Sequence, residues 1–331
     1  MKYLLILNIA FIQRNRGCSM NGQTVEIIDQ ASTPKTSPVS GSRWISGVLL
    51  AAMVLSWSSG FIGYRYASEH SGVMLVTFWR FVLAALLLFP WVLGSLRELT
   101  WIIVRQQMLV GLLAIAGFIA AIALSIELGV APGTSSLIAN LLPLSIVLSA
   151  GLIPGQRTRG WQWLGVGLCI AGMLIASAAS VEFSDAPLWA YGLPALAVLS
   201  LTAATIYQKK AHQDQALPVT VPAMTSLFLQ ICAALPVFAV LSMLEGGIAP
   251  VLSFGFGAAV LWLVVCSTLG GYGFYWLCLK RFNMQSVSGA LFLTPPATMV
   301  WAWLQFDNPL STGALAGVAL TMVGLPFLRR R

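Results

Sequence analysis

The amino-acid sequence predicts an all-α integral membrane protein: ten transmembrane helices arranged as two inverted five-helix repeats. Three observations predict it. Of 331 residues 58% are hydrophobic and only 8% charged, whereas a soluble domain carries about a quarter charged residues. The chain also supplies ten stretches near the roughly 20 apolar residues that a bilayer crossing needs, separated by short polar breaks. Finally, segments of the second half repeat segments of the first, and a duplicated bundle with an odd number of helices inserts its second copy upside down.

The expected spans are Trp44 to Tyr66, Gly72 to Gly94, Gln107 to Ile126, Thr134 to Ile153 and Trp161 to Ser180, then Leu188 to Gln208, Val219 to Met243, Gly257 to Leu279, Ser286 to Leu304 and Leu310 to Leu328. They divide the chain into a polar tail over 1–43, a first repeat over 44–180 and a second over 188–328. The tail is rich in Ser, Thr and Pro and lacks helical periodicity, so it is expected to be disordered. Its first twelve residues form a short apolar run without a small-residue cleavage site, and a start at Met20 is an equally good reading.

Basic residues orient the bundle. With both termini cytoplasmic, sixteen of the 18 Lys and Arg residues fall in the tail, the cytoplasmic loops and the C-terminus, as the positive-inside rule requires. Arg65, at the outer end of helix 1, and Arg80, within helix 2, are the exceptions. The net charge of +8 is thus a matter of topology and not a nucleic-acid footprint. The expected location is a bacterial-type inner (plasma) membrane, crossed many times, with the lipid bilayer as main solvent.

Three segments carry the repeat. Val54-Leu55-Ser56 through Ile62, Arg65 and Ala67 matches Val198-Leu199-Ser200 through Ile206, Lys209 and Ala211 at a shift of 144. Gly165-Val166, Leu168 and Gly172 align with Gly317-Val318, Leu320 and Gly324 at a shift of 152, and the same shift sets Pro143 on Pro295 and Ser136 on Ser288. The spaced glycines are expected to let helices pack closely. Cys169, Cys232, Cys266 and Cys278 lie in apolar stretches without metal-ligand spacing, and read as packing residues.

At these residues the chain resembles EamA-type members of the drug/metabolite transporter superfamily, over about residues 44 to 328. The resemblance rests on Trp57-Ser58-Ser59-Gly60-Phe61-Ile62 with Arg65, on Arg80-Phe81, on Pro143, and on Arg157 followed by Gln162-Trp163-Leu164-Gly165. One departure stands out: where the family usually places a Glu after the fourth helix of each repeat, this chain has Gln156 and Asn308. The resemblance implies a secondary transporter that exports or exchanges a small metabolite, an amino acid or amphiphilic compound, through a cavity between the halves. A sugar-phosphate-type exchanger or a passive channel are the alternatives.

Arg80 is the leading polar candidate. It lies roughly 12 Å below the outer boundary at 1.5 Å per residue, where a charge costs about 2.5 to 3.5 kcal/mol on insertion scales and must face the bundle or a wet cavity. Binding a substrate or counter-ion is one use; snorkelling or bonding helix-end carbonyls is the structural one. Asn140 and Pro143 in helix 4, with Thr294, Pro295 and Pro296 in helix 9, are expected to break or bend their helices, and such breaks point to binding sites. Trp57, Tyr207 and Tyr275 complete the expected cavity wall. A midplane carboxylate for a proton relay is missing, although Glu127 stands at a helix end. His70 and His212 fall in loops on opposite sides, so an integral-membrane enzyme is disfavoured. No catalytic residue, metal or cofactor is expected.

Overall fold

The structure, a computed structural model, describes residues 43–95, 99–141, 160–181, 185–213, 221–282, 287 and 290–329. Among them ten helices can be followed. The first is α1 (Arg43–Ser68), closed by a turn in which His70 Nδ1 lies 2.9 Å from the Tyr66 carbonyl. The second, α2 (Val73–Val92), begins at Gly72 without a side-chain cap of its own. Carboxylates from two other helices supply one instead. Glu245 accepts from the Met74 and Leu75 amides at 3.1 Å, and Glu127 from the Val73 amide at 3.4 Å. These are the orphan N–H groups of a helix start, where negative charge is favoured.

The third helix, α3, runs through Trp101–Gly111, a π-helical stretch Leu112–Gly117, and Phe118–Glu127. Then come α4 (Pro132–Ala139), α5 (Gly160–Val181) and, after a 3-10 turn at Leu188–Tyr191, α6 (Gly192–Gln213). The seventh, α7 (Ala223–Leu244), leads to α8, again in three pieces: Phe254–Trp262, a π-helical stretch Leu263–Gly270, and Gly271–Arg281. Finally α9 (Thr294–Phe306) and α10 (Thr312–Arg329) close the chain. Ser253 caps α8 by accepting from the Phe256 amide, and Ser311 caps α10 by accepting from the Ala314 amide. Both place an oxygen where the helix leaves donors free.

Six helical segments are long and apolar enough to cross a membrane: 45–68, 73–92, 101–127, 188–208, 224–244 and 254–275. The apolar parts of α5 and α10, Trp163–Ala179 and Thr312–Gly324, are shorter. Within the expected fourth span the described helix stops at Ala139, with a turn at 140–141. In the expected ninth, residues 290–291 are helical, 292–293 form a turn, and α9 restarts at Thr294 with proline in its first turn. Proline fits there because a first-turn N–H has no intrahelical partner. Pro143, Gln156, Arg157 and Ser288 lie outside the described residues. The flanks of the bundle are apolar, with Leu86, Leu174, Leu199 and Val323 all exposed, as befits a surface solvated by lipid.

Since lipid tails are as apolar as leucine, burying such side chains between helices gains little, and close backbone approach does more to hold the bundle. The α5–α10 pair illustrates it. A Cβ on Gly172 would stand 2.5 Å from the Gly317 carbonyl oxygen, and one on Gly317 equally close to the Gly172 carbonyl. Gly111 allows the same between α3 and α7, where its Cβ would meet the Gln230 backbone. Beside it Gln230 Nε2 donates to Gln107 Oε1 at 2.7 Å, both side chains buried.

Two outcomes follow from these contacts. Gly172→Leu and Gly317→Leu are each expected to destabilise the detergent-solubilised protein by about 1–3 kcal/mol through overpacking, seen as a lower unfolding temperature, while Gly167→Leu, with open space around it, changes nothing. Glu245 loses water against α2, which holds its carboxyl above the usual range, the bonds from Met74 and Leu75 pulling it partly back. Its folded form therefore binds the proton more tightly than the unfolded one, and stability falls as pH rises from the ordinary carboxylate value through the raised one. Melting curves of wild type and Glu245→Gln across that window will show a slope in the first that is reduced in the second.

Candidate functional site

A cavity of about 150 Å³ opens at the centre of the bundle, walled by α1, α2, α3, α4, α6, α7 and α8. Apolar side chains such as Phe61, Ile115, Phe118 and Ile231 make up most of its wall. Three of its hydroxyl-bearing side chains, Tyr64, Ser267 and Thr268, converge on Arg80.

The guanidinium of Arg80 is buried, with 6% of the residue exposed. Its Nε donates to Thr268 Oγ1 at 3.1 Å, Nη1 to Tyr64 Oη at 2.7 Å, and Nη2 to Ser267 Oγ at 3.2 Å. The rings of Tyr64 and Phe81 lie 5.8 and 5.3 Å from its central carbon, close enough for cation–π attraction. Three of its five donors are thus engaged by described residues, all with neutral hydroxyls. No carboxylate among the described residues reaches it; the ion pair they contain is Arg65 with Glu69, at 3.2 Å. Hydrogen bonds to a charged group contribute about 1.5–3 kcal/mol each, so three of them are enough to offset the insertion cost. Among the described residues the positive charge itself has no counter-charge.

Local backbone geometry explains why these groups meet. Ser267 and Thr268 sit in the π-helical stretch of α8, and Ala114 and Ile115 in that of α3. A π turn shifts the register of the side chains that follow, and such turns are frequent at functional sites. Side-chain hydroxyls bond carbonyls of these stretches: Thr268 Oγ1 donates to the Leu263 carbonyl at 3.0 Å, and Ser200 Oγ on α6 to the Leu113 carbonyl at 2.8 Å.

Of the residues expected from sequence, Trp57, Arg80 and Asn140 line this cavity. Asn140 follows the last turn of α4 and donates from Nδ2 to the Ser136 carbonyl at 2.7 Å. Thr294 and Pro295 lie buried where α9 meets α1, with Ser58 Oγ 3.3 Å from the Thr294 carbonyl. Tyr275 packs with Met53, Cys278, Val287 and Leu291 in a separate cluster, and Tyr207 lies against Val198, Leu201 and Ala204. Neither reaches the cavity wall. Pro143 is outside the described residues. Tyr64, Ser267 and Thr268 escaped the sequence reading, since nothing in an apolar pattern announces a π turn. The spacing of Tyr64 and Arg80 across a tight helical hairpin was the available signal.

Residues 44–178 match the EamA-like transporter family. Over 289 residues the chain is 24% identical to a probable amino-acid metabolite efflux pump of Escherichia coli K12, covering 84% of this chain and 93% of that one. It is 22% identical to a chloroplastic WAT1-related protein of Arabidopsis thaliana, covering 85% of this chain and 69% of the other. A solved crystal structure overlays with a TM-score of 0.57 at 18% identity, covering 87% of this chain and 97% of its own, so the fold is shared.

Removing the hydroxyls around a buried cation has a measurable price. Thr268→Val is expected to lower stability by about 1–3 kcal/mol in the native background, and by clearly less in an Arg80→Met background. A double-mutant cycle on thermal unfolding checks it.

Proposed function

We propose that this chain, a membrane transporter similar to the EamA type, exports or exchanges a small metabolite bearing a carboxylate and an apolar remainder, an amino acid or a related amphiphile. The observation that carries this reading is Arg80: a buried cation, hydrogen-bonded only to neutral groups among the described residues, on the wall of an otherwise apolar cavity. A ligand carboxylate supplies the missing charge in a setting where water does not screen it. The apolar wall takes the remainder. A phosphate-bearing solute fits less well, since it calls for several basic residues and Arg80 is the basic side chain among this cavity's lining residues. The name of the Escherichia coli relative points the same way.

Ten spans in two inverted halves, with both termini cytoplasmic, form the framework of this reading. The turns at 140–141 and 292–293 stand 152 residues apart, the shift that also aligns Gly165 with Gly317. The π-helical stretches Leu112–Gly117 and Leu263–Gly270 stand nearly the same distance apart. Two interruptions recurring at one shift support a duplicated bundle, and a cavity walled by residues of both halves suits alternating access of one against the other.

Cells overexpressing the chain are expected to resist a subset of toxic carboxylate-bearing amino-acid analogues and to accumulate less of them than vector controls. Arg80→Ala should cut that efflux at least about tenfold, the scale of one lost charge-assisted contact, with unchanged amounts of protein in the membrane. Efflux of amphiphilic cations that survives Arg80→Ala, with no effect on carboxylates, would overturn the assignment.

A further inference from the structure

A second cavity, of about 310 Å³, lies at the end of the bundle where α1 finishes and α4 and α10 begin. It shares no lining residue with the central one, yet the two have walls in common. On α1, Tyr64 faces the central cavity and the next residue, Arg65, faces this one; on α4, Asn140 belongs to the first and Thr134, nearly two turns earlier, to the second. Unlike the apolar central cavity, this one presents both signs of charge. Arg65 lines it from α1 and Asp185 from the segment after α5, and the two are not paired with each other. Arg65 instead holds Glu69 on its own helix at 3.2 Å through a single Nη2, with both side chains more than a third exposed. Such a pair is weak, so a ligand carboxylate competes for the guanidinium fork. Val130, Met299 and Leu310 add apolar wall for a side chain.

A cation and an anion that line one cavity without pairing with each other can take the two adjacent charges of a zwitterion. We propose that this cavity is a second solute site on the outer side of the membrane, which binds the carboxylate of an amino acid at Arg65 and its ammonium at Asp185. It rests on the export reading above, in which a solute leaves the Arg80 cavity past the wall formed by α1 and α4. The site gives the leaving solute a hydrated, doubly charged resting place before release.

The test follows occupancy without needing transport. Asn308, on the rim of this cavity, is changed to cysteine in the full chain, and labelling by a membrane-impermeant maleimide is timed from outside intact cells, with the unsubstituted chain as background. L-Leucine is expected to slow labelling, whereas its methyl ester and N-acetyl-L-leucine, each lacking one charge, need about tenfold more. Arg65→Gln and Asp185→Asn should each weaken protection by L-leucine about tenfold, Arg65→Lys should restore part of it, and Arg80→Ala should leave it intact. Unchanged labelling rates without solute show that the variants keep their fold. No protection by L-leucine, equal protection by the two derivatives, loss of protection with Arg80→Ala, or labelling confined to the cytoplasmic side would each overturn the proposal. Protection that persists while overexpressing cells show no efflux would leave this site standing and sink the export reading instead.

Discussion

A backbone polar group inside a bilayer has no water to turn to, so it must find its partner within the protein. Several departures from a regular helix among the described residues follow that constraint. Where α3 and α8 loosen into π turns, the Leu113 and Leu263 carbonyls are met by Ser200 and Thr268. Where α4 stops, the Asn140 side chain reaches back to the Ser136 carbonyl, and near the start of α9 Ser58 and Thr298 both reach the Thr294 carbonyl. Small hydroxyl and amide side chains stand where the backbone is irregular. Irregular backbone at this depth is tolerated only where protein or a cavity surrounds it, and here it surrounds Arg80.

The cation and the breaks support one another. Thr268 accepts from Arg80 while donating to the Leu263 carbonyl of its own helix, so one hydroxyl serves both the charge and the π turn. Tyr64 does similar work from α1, giving an oxygen to the guanidinium and a ring face beside it. Three helices are thereby tied at one point by groups whose alternative is an unsatisfied bond in a dry interior. At the start of α2, Glu127 and Glu245 tie α3 and α7 to the helix that carries Arg80. The depth of that side chain is thus set by contacts at both ends of a short lever.

Apolar packing has a smaller part than in a soluble protein. Side chains on the flanks meet lipid as readily as each other, and the contacts that distinguish one arrangement from another are the close ones. Gly172 against Gly317 and Gly111 against Gln230 are positions where a methyl group has no room. Their cost in helix propensity is repaid in dispersion contact between backbones.

Composition and the length of the apolar stretches were enough to determine an all-helical membrane protein, because bilayer thickness and backbone satisfaction leave few alternatives. The sequence also marked Arg80 and Asn140, since an unpaired charge and a helix-breaking amide are visible against an apolar background. Pro295, marked by the sequence in the expected ninth span, lies close beside the turn at 292–293. What the sequence withheld were groups whose meaning depends on register. Ser267 and Thr268 look like any small polar residues in a span, and only the π turn aims them at Arg80. Tyr207 and Tyr275 looked like cavity aromatics, yet helix rotation packs them among other side chains, Tyr275 fully buried and Tyr207 partly so. Rotation and register are decided by packing between helices, which one-dimensional hydrophobicity does not encode, because every face of a buried helix is apolar.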